Sequence, residues 1–106
     1  NQKGREISKP GMSMHDLDDS VTKVLEASEY KDFIVHKTGH GLGMDVHEDP
    51  YVMRKNYELL EKGMVITIEP GLYKDTHLGI RVEDDVLITD EGCKSLTSFD
   101  RDLRVI

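Results

Sequence analysis

The chain has 106 residues, enough for one domain with a modest core. Its 14 basic and 21 acidic side chains leave a formal charge of -7, which disfavours nucleic acid or an anionic membrane surface as a partner. A single cysteine, Cys93, excludes an internal disulfide, and no apolar run is long enough to cross a membrane, so the expected setting is a reducing cytoplasm.

Asn1 to Lys9 carries charges around Gly4 and little apolar material, and reads as a frayed lead-in, the tail of a helix that begins upstream. Pro10-Gly11 closes it. From Ser13 onward, Met14, Leu17, Val21, Val24 and Leu25 recur at steps of three and four, which predicts a helix over 14–28 with one apolar stripe. Ser13 is its expected N-cap, Asp16 the capping acid, and Asp18 and Asp19 suit its positive end. Beyond Tyr30 the texture is that of strands and turns: Phe33-Ile34-Val35, then Met64 to Ile68 closed by Pro70-Gly71, then Ile80 to Thr89. In the last run Val82, Val86 and Ile88 alternate with Arg81, Glu83, Asp85 and Leu87. Asp84 falls on the apolar side, as polar residues near a site do. Asp90-Glu91-Gly92 is a turn. One main helix feeding antiparallel strands makes an α+β unit spanning residues 1–106.

The segment T-G-H-G-L-G-M-D-V-H-E-D-P, Thr38 to Pro50, is the richest in chemistry. The glycines beside His40 remove bulk from both neighbours, so the imidazole can enter a space that a ligand also occupies; the plainer reading is a bulged surface turn. Glu69 ends a strongly apolar strand, where a carboxylate is costly unless a positive group pairs with it. Glu83 shares a strand face with Arg81. One imidazole and two carboxylates form a nitrogen and oxygen set suited to manganese, cobalt, zinc or iron, without the thiolates of a structural zinc site. The competing reading pairs Glu69 with a lysine and Glu83 with Arg81 as ordinary salt bridges.

His47 would lie on the opposite face from His40 in an extended chain, and reaches the same site only if the glycines bend it; His36 would share the face of His40 in a strand. A histidine beside a metal that is not a ligand can hold a carbonyl or move a proton. His15 and His77 read as solvated and Cys93 as a small apolar filler. Glu83-Asp84-Asp85 lacks the alternate ligand spacing of a calcium loop.

Three blocks occur in order: H-K-T-G-H-G-L-G-M-D-V-H-E-D-P, G-M-V-I-T-I-E-P-G-L-Y and G-I-R-V-E-D-D-V-L-I-T-D-E-G. Together, from about Pro10 to Ile106, they resemble the C-terminal part of the pita-bread metallopeptidases. H-K-T-G-H-G and R-V-E-D-D point to the proline-specific branch, Xaa-Pro dipeptidase (prolidase) and Xaa-Pro aminopeptidase. The resemblance implies a pseudo-twofold α+β fold and two divalent metal ions, manganese before cobalt, zinc or iron, held by two aspartates, one histidine and two glutamates. By motif position, it implies His40 as the histidine ligand, Glu69 as the first glutamate and Glu83 as the second, which bridges the ions. Glu69 would also handle the proton of the attacking water, and His47 would stabilise the reacting carbonyl. His36, Tyr73 and Arg81 match positions that line or order the substrate pocket.

Both aspartate ligands of that family belong upstream of Pro10, and no aspartate precedes Asp16. The chain is therefore expected to be the C-terminal portion of a catalytic domain, inactive by itself and prone to self-association, from a homodimeric enzyme acting on Xaa-Pro peptides. The same fold serves as a non-catalytic peptide- or protein-binding module and as a metal-free creatinase-like hydrolase. Retention of His40, Glu69 and Glu83 together weighs against the binding module.

Overall fold

A computed structural model describes all 106 residues. The lead-in is not frayed: Gln2–Ile7 forms helix α1, with Gly4 and Ser8 buried and the Ser8 hydroxyl donating to the Gly4 carbonyl at 2.7 Å. Helix α2 spans Met14–Glu26, and Ser13 caps it as expected, its Oγ accepting the Asp16 amide at 3.0 Å. Ala27 and Ser28 lie past its end, where their amides close onto the carbonyls of Lys23 and Leu25. Met14, Leu17 and Val21 form the buried stripe; Val24, expected on it, is exposed.

Phe33-Ile34-Val35 is not a strand. Lys31–Phe33 is a turn of 3-10 helix, with the Phe33 amide donating to the Tyr30 carbonyl at 3.0 Å. Seven strands follow: β1 (Gly39–Gly41), β2 (Glu48–Val52), β3 (Val65–Ile68), β4 (Gly71–Lys74), β5 (Leu78–Arg81), β6 (Asp84–Ile88) and β7 (Cys93–Ser95). Five of them form an antiparallel sheet in the order β2-β1-β3-β6-β7, and β4-β5 is a separate antiparallel ribbon. The expected single run from Ile80 to Thr89 is thus two strands with different partners. The chain leaves β4 at Arg81 and joins β3 at Asp84, so Val82-Glu83 is a crossing point.

Helix α2 covers one face of the sheet, and Met14, Leu17 and Val21 meet Val52, Leu60, Ile66, Ile68, Val86 and Ile88 in one cluster. Asp84 points into this layer beside Val86 and Ile88, at 2 % exposure. It does not belong to the candidate site. It is a structural ion-pair centre: Arg101 reaches it through Nε and Nη2, each at 2.7 Å, the Thr97 hydroxyl donates at 2.5 Å, and Arg5 stands at 3.6 Å. Burial pushes the Asp84 carboxyl upward, but the hydrogen bonds from Arg101 and Thr97 outweigh it and hold the carboxyl below the ordinary aspartate value.

Cys93 packs against the core with Sγ 3.1 Å from the Arg5 carbonyl, and burial raises its thiol above the usual value. A raised thiol holds less thiolate at neutral pH, and thiolate is the reactive form. Iodoacetamide at pH 7.5 is therefore expected to label Cys93 slowly in the folded chain and rapidly in urea, as read by mass spectrometry; equal rates would contradict the packing.

Candidate functional site

His40 occupies the centre of β1, between β2 on one side and β3 on the other. Its neighbours are glycines for a reason of backbone approach. A Cβ on Gly39 would stand 1.9 Å from the Thr67 carbonyl oxygen, and one on Gly41 would stand 2.5 Å from that of Asp49. The clearance at these two positions therefore serves the adjoining strands, not a ligand, which corrects the expectation from sequence. The register also shifts between His40 and Gly41, a bulge that re-aims the chain. The loop that follows folds back and sets the His47 ring 4.3 Å from that of His40, centroid to centroid. The bend required to join two histidines seven positions apart is thus present.

His40 is nearly buried, and both ring nitrogens have defined neighbours. Nδ1 lies 2.8 Å from the Gly41 carbonyl, so it carries the proton and donates. Nε2 is 3.0 Å from Glu69 Oε1. With Nδ1 protonated, a neutral ring turns a lone pair towards a carboxylate, an arrangement that calls for a proton or a cation between them. The Thr67 hydroxyl donates to the same Oε1 at 2.9 Å and accepts the His40 amide at 3.0 Å. The Glu69 amide donates to the Thr38 carbonyl at 2.7 Å. Imidazole and carboxylate are therefore fixed from their backbones as well as through their side chains.

Arg81 stands between the two glutamates, with Nη1 3.6 Å from Glu69 Oε2 and Nε 3.5 Å from Glu83 Oε2. The ordinary Arg81–Glu83 salt bridge is thus present, while Glu69 pairs with His40 and Arg81 in place of a lysine. His40, His47, Glu69, Arg81 and Glu83 line one cavity of about 480 Å³, and Met44 and Val46 form its apolar rim. No three His, Cys, Asp or Glu side chains of the chain are gathered closely enough to hold an ion by themselves.

His36 does not share the face of His40, because the chain becomes a strand only at Gly39. It pairs with Tyr73: its Nε2 lies 3.0 Å from the Tyr73 hydroxyl, and its Nδ1 is 2.8 Å from the Lys37 carbonyl. His15, expected to be solvated, stacks on Tyr57 at 4.9 Å and accepts the Lys55 amide through Nδ1.

Sequence reasoning gave no site role to Thr67, Thr38 or Asp18. A threonine two positions before a glutamate carries no signal alone. Asp18 did carry one, since it sits one position after Leu17 and three before Val21, inside the apolar stripe of α2.

These features define an α+β protein with a nitrogen and oxygen donor pair at the tip of a central strand. The chain belongs to metallopeptidase family M24, whose sequence profile matches residues 1–90. It is 43% identical over 98 residues to the Xaa-Pro dipeptidase of Pyrococcus furiosus, an overlap of 92% of this chain and 28% of that protein. Among solved structures it superposes on the prolidase from Pyrococcus horikoshii with a TM-score of 0.93 and 41% identity, covering 97% of this chain and 30% of that one. The X-Pro aminopeptidase from Thermotoga maritima gives a TM-score of 0.93 at 34% identity, covering 99% and 30%. The expected pita-bread fold is therefore the observed one, and the chain spans less than a third of the length of these relatives.

Proposed function

We propose that this chain is the C-terminal part of a dinuclear metallopeptidase that hydrolyses the bond between an N-terminal residue and proline. The observation that carries this reading is the His40–Glu69 pair, an imidazole nitrogen and a carboxylate oxygen 3.0 Å apart on a cavity that Glu83 also lines. His40, Glu69 and Glu83 would supply three donors, and the others would come from the rest of the protein. The mixed imidazole and carboxylate set fits a borderline or hard divalent ion, manganese first and cobalt, zinc or iron next. When bound, such ions acidify a water and polarise the scissile carbonyl.

The chain's own residues divide the remaining work. Glu69, with Oε1 tied to Thr67 and Oε2 facing Arg81, would take the proton of the attacking water. Arg81 offsets the repulsion between Glu69 and Glu83 and keeps both carboxylates turned to one cavity. His47, exposed beside His40, is free to donate to the substrate carbonyl. The His36–Tyr73 pair offers a second polar contact for an Xaa-Pro substrate. We place the full protein in the cytoplasm as a homodimer. Support for self-association of the isolated chain is a separate groove of about 920 Å³ with Phe33, Leu72, Leu78, Ile80 and Phe99 on its walls.

Two measurements test the reading. With manganese and Gly-Pro or Ala-Pro, the full-length protein is expected to release proline while the isolated 106 residues do not. Turnover by the isolated chain would overturn the division of ligands. Sedimentation of the isolated chain at high concentration is expected to show dimers or larger species, and a strictly monomeric profile would count against the apolar groove as an association surface.

A further inference from the structure

We propose that Asp18, on helix α2, is a positioning residue for the His40–Glu69 pair. The inference rests on the reading that those two side chains hold a divalent ion.

Asp18 is 5 % exposed and lies in the apolar stripe of its helix, where a carboxylate is costly unless its acceptor sites are filled. They are filled by donors from three segments. Oδ1 accepts the Thr38 amide at 3.1 Å, the Thr38 hydroxyl at 2.5 Å and the Thr22 hydroxyl at 3.1 Å. Oδ2 accepts the Arg54 amide at 2.8 Å. Thr38 is thus held at two points, through main chain and side chain, immediately before β1 begins. Arg54 is held just past the end of β2, the strand paired with β1.

The chain of contacts continues to the donor pair. The carbonyl of the clamped Thr38 accepts the Glu69 amide at 2.7 Å, and His40 follows two residues later with its own amide on Thr67 Oγ1. Thr67 Oγ1 in turn donates to Glu69 Oε1, which faces His40 Nε2. Asp18 therefore fixes, from the helix, the height at which β1 and the tip of β3 lie side by side. That height sets where the imidazole and the carboxylate meet. A neutral asparagine would turn an NH2 donor towards either the Arg54 amide or the Thr38 donors, and one anchor would be lost.

The test uses the full-length protein, stripped of metal and titrated with Co²⁺, following the visible d–d band as well as affinity. Asp18→Asn is expected to weaken Co²⁺ binding about tenfold or more and to alter the band, the size of effect typical of residues that orient metal ligands. Thr38→Val, which removes one hydroxyl contact, carries the same test should the asparagine variant not fold, with the same direction of change. Val21→Ala removes core volume from the same helix at a residue outside the Asp18 hydrogen bonds, and should lower the melting temperature while leaving the Co²⁺ titration and band unchanged. Wild-type affinity and band in the Asp18 or Thr38 variant that folds, or an equal change in Val21→Ala, would overturn the proposal. His40→Ala and Glu69→Gln separate the two levels. If they lose the ion and Asp18→Asn does not, only the positioning role fails; if they bind Co²⁺ like the wild type, the ligand reading fails and the positioning role with it.

Discussion

Glu69→Gln in the full-length protein is expected to lower kcat on Ala-Pro by about 10²–10⁴, with a smaller change in KM. The amide keeps the shape and can still accept from Thr67, but it loses the charge that faces His40 and Arg81 and it cannot take a proton. A structural salt bridge would behave differently. If Glu69 served only to pair with His40 and Arg81, the substitution would lower stability and leave kcat per folded molecule near the wild-type value. Steady-state kinetics beside thermal melts on the same preparation distinguish the two, and unchanged kcat would remove Glu69 from the chemistry.

The second large effect concerns stability. Arg101→Ala is expected to destabilise the chain markedly, because it strips two hydrogen bonds from a carboxylate that the core keeps from water. Thr97 and the more distant Arg5 would remain to compensate only in part. Arg104→Ala removes a pair with Asp100 on an exposed tail, and should cost far less. Urea midpoints for the two variants test the contrast, and similar losses would refute the buried role of Asp84. The acid limb gives an independent check. The Asp84 carboxyl sits below its ordinary value in the folded chain, so its contribution is fully present above the unfolded value of about 4. It is lost as pH falls through the depressed folded value. Arg101→Ala should therefore also flatten the loss of stability between about pH 5 and the folded value.

The features with a short-range cause were legible. The Ser13 cap and the Met14, Leu17, Val21 stripe follow from local hydrogen bonding and helical period, and the structure has both. The strand from Met64 to Ile68 was visible because its apolar run ends at Pro70-Gly71. What escaped depended on partners far along the chain. Phe33-Ile34-Val35 has strand-like residues but no neighbouring strand to supply hydrogen bonds, and so it turns. The run from Ile80 to Thr89 alternates well enough for one strand, yet its two ends pair with β4 and β3. Asp84 broke the pattern in the sequence for a reason only Arg101 explains, 17 residues away.

The site divides the same way. His40, His47, Glu69, Arg81 and Glu83 were singled out in the sequence and line one cavity. Their mutual distances rest on the bulge after His40 and on Thr38 and Thr67, none of which has a spacing signature. The glycines show the limit most plainly. In the sequence they suggested room for a ligand, and in the fold they make room for the carbonyls of Thr67 and Asp49.

The most direct measurement is anomalous diffraction from crystals of the full-length protein grown with manganese. The expected result is a manganese peak within about 2.0–2.3 Å of both His40 Nε2 and a Glu69 carboxylate oxygen, with Glu83 turned towards it. A His40–Glu69 pair still in direct contact at 3.0 Å with no peak beside it, or manganese bound only elsewhere, would contradict the assignment of these residues as metal ligands.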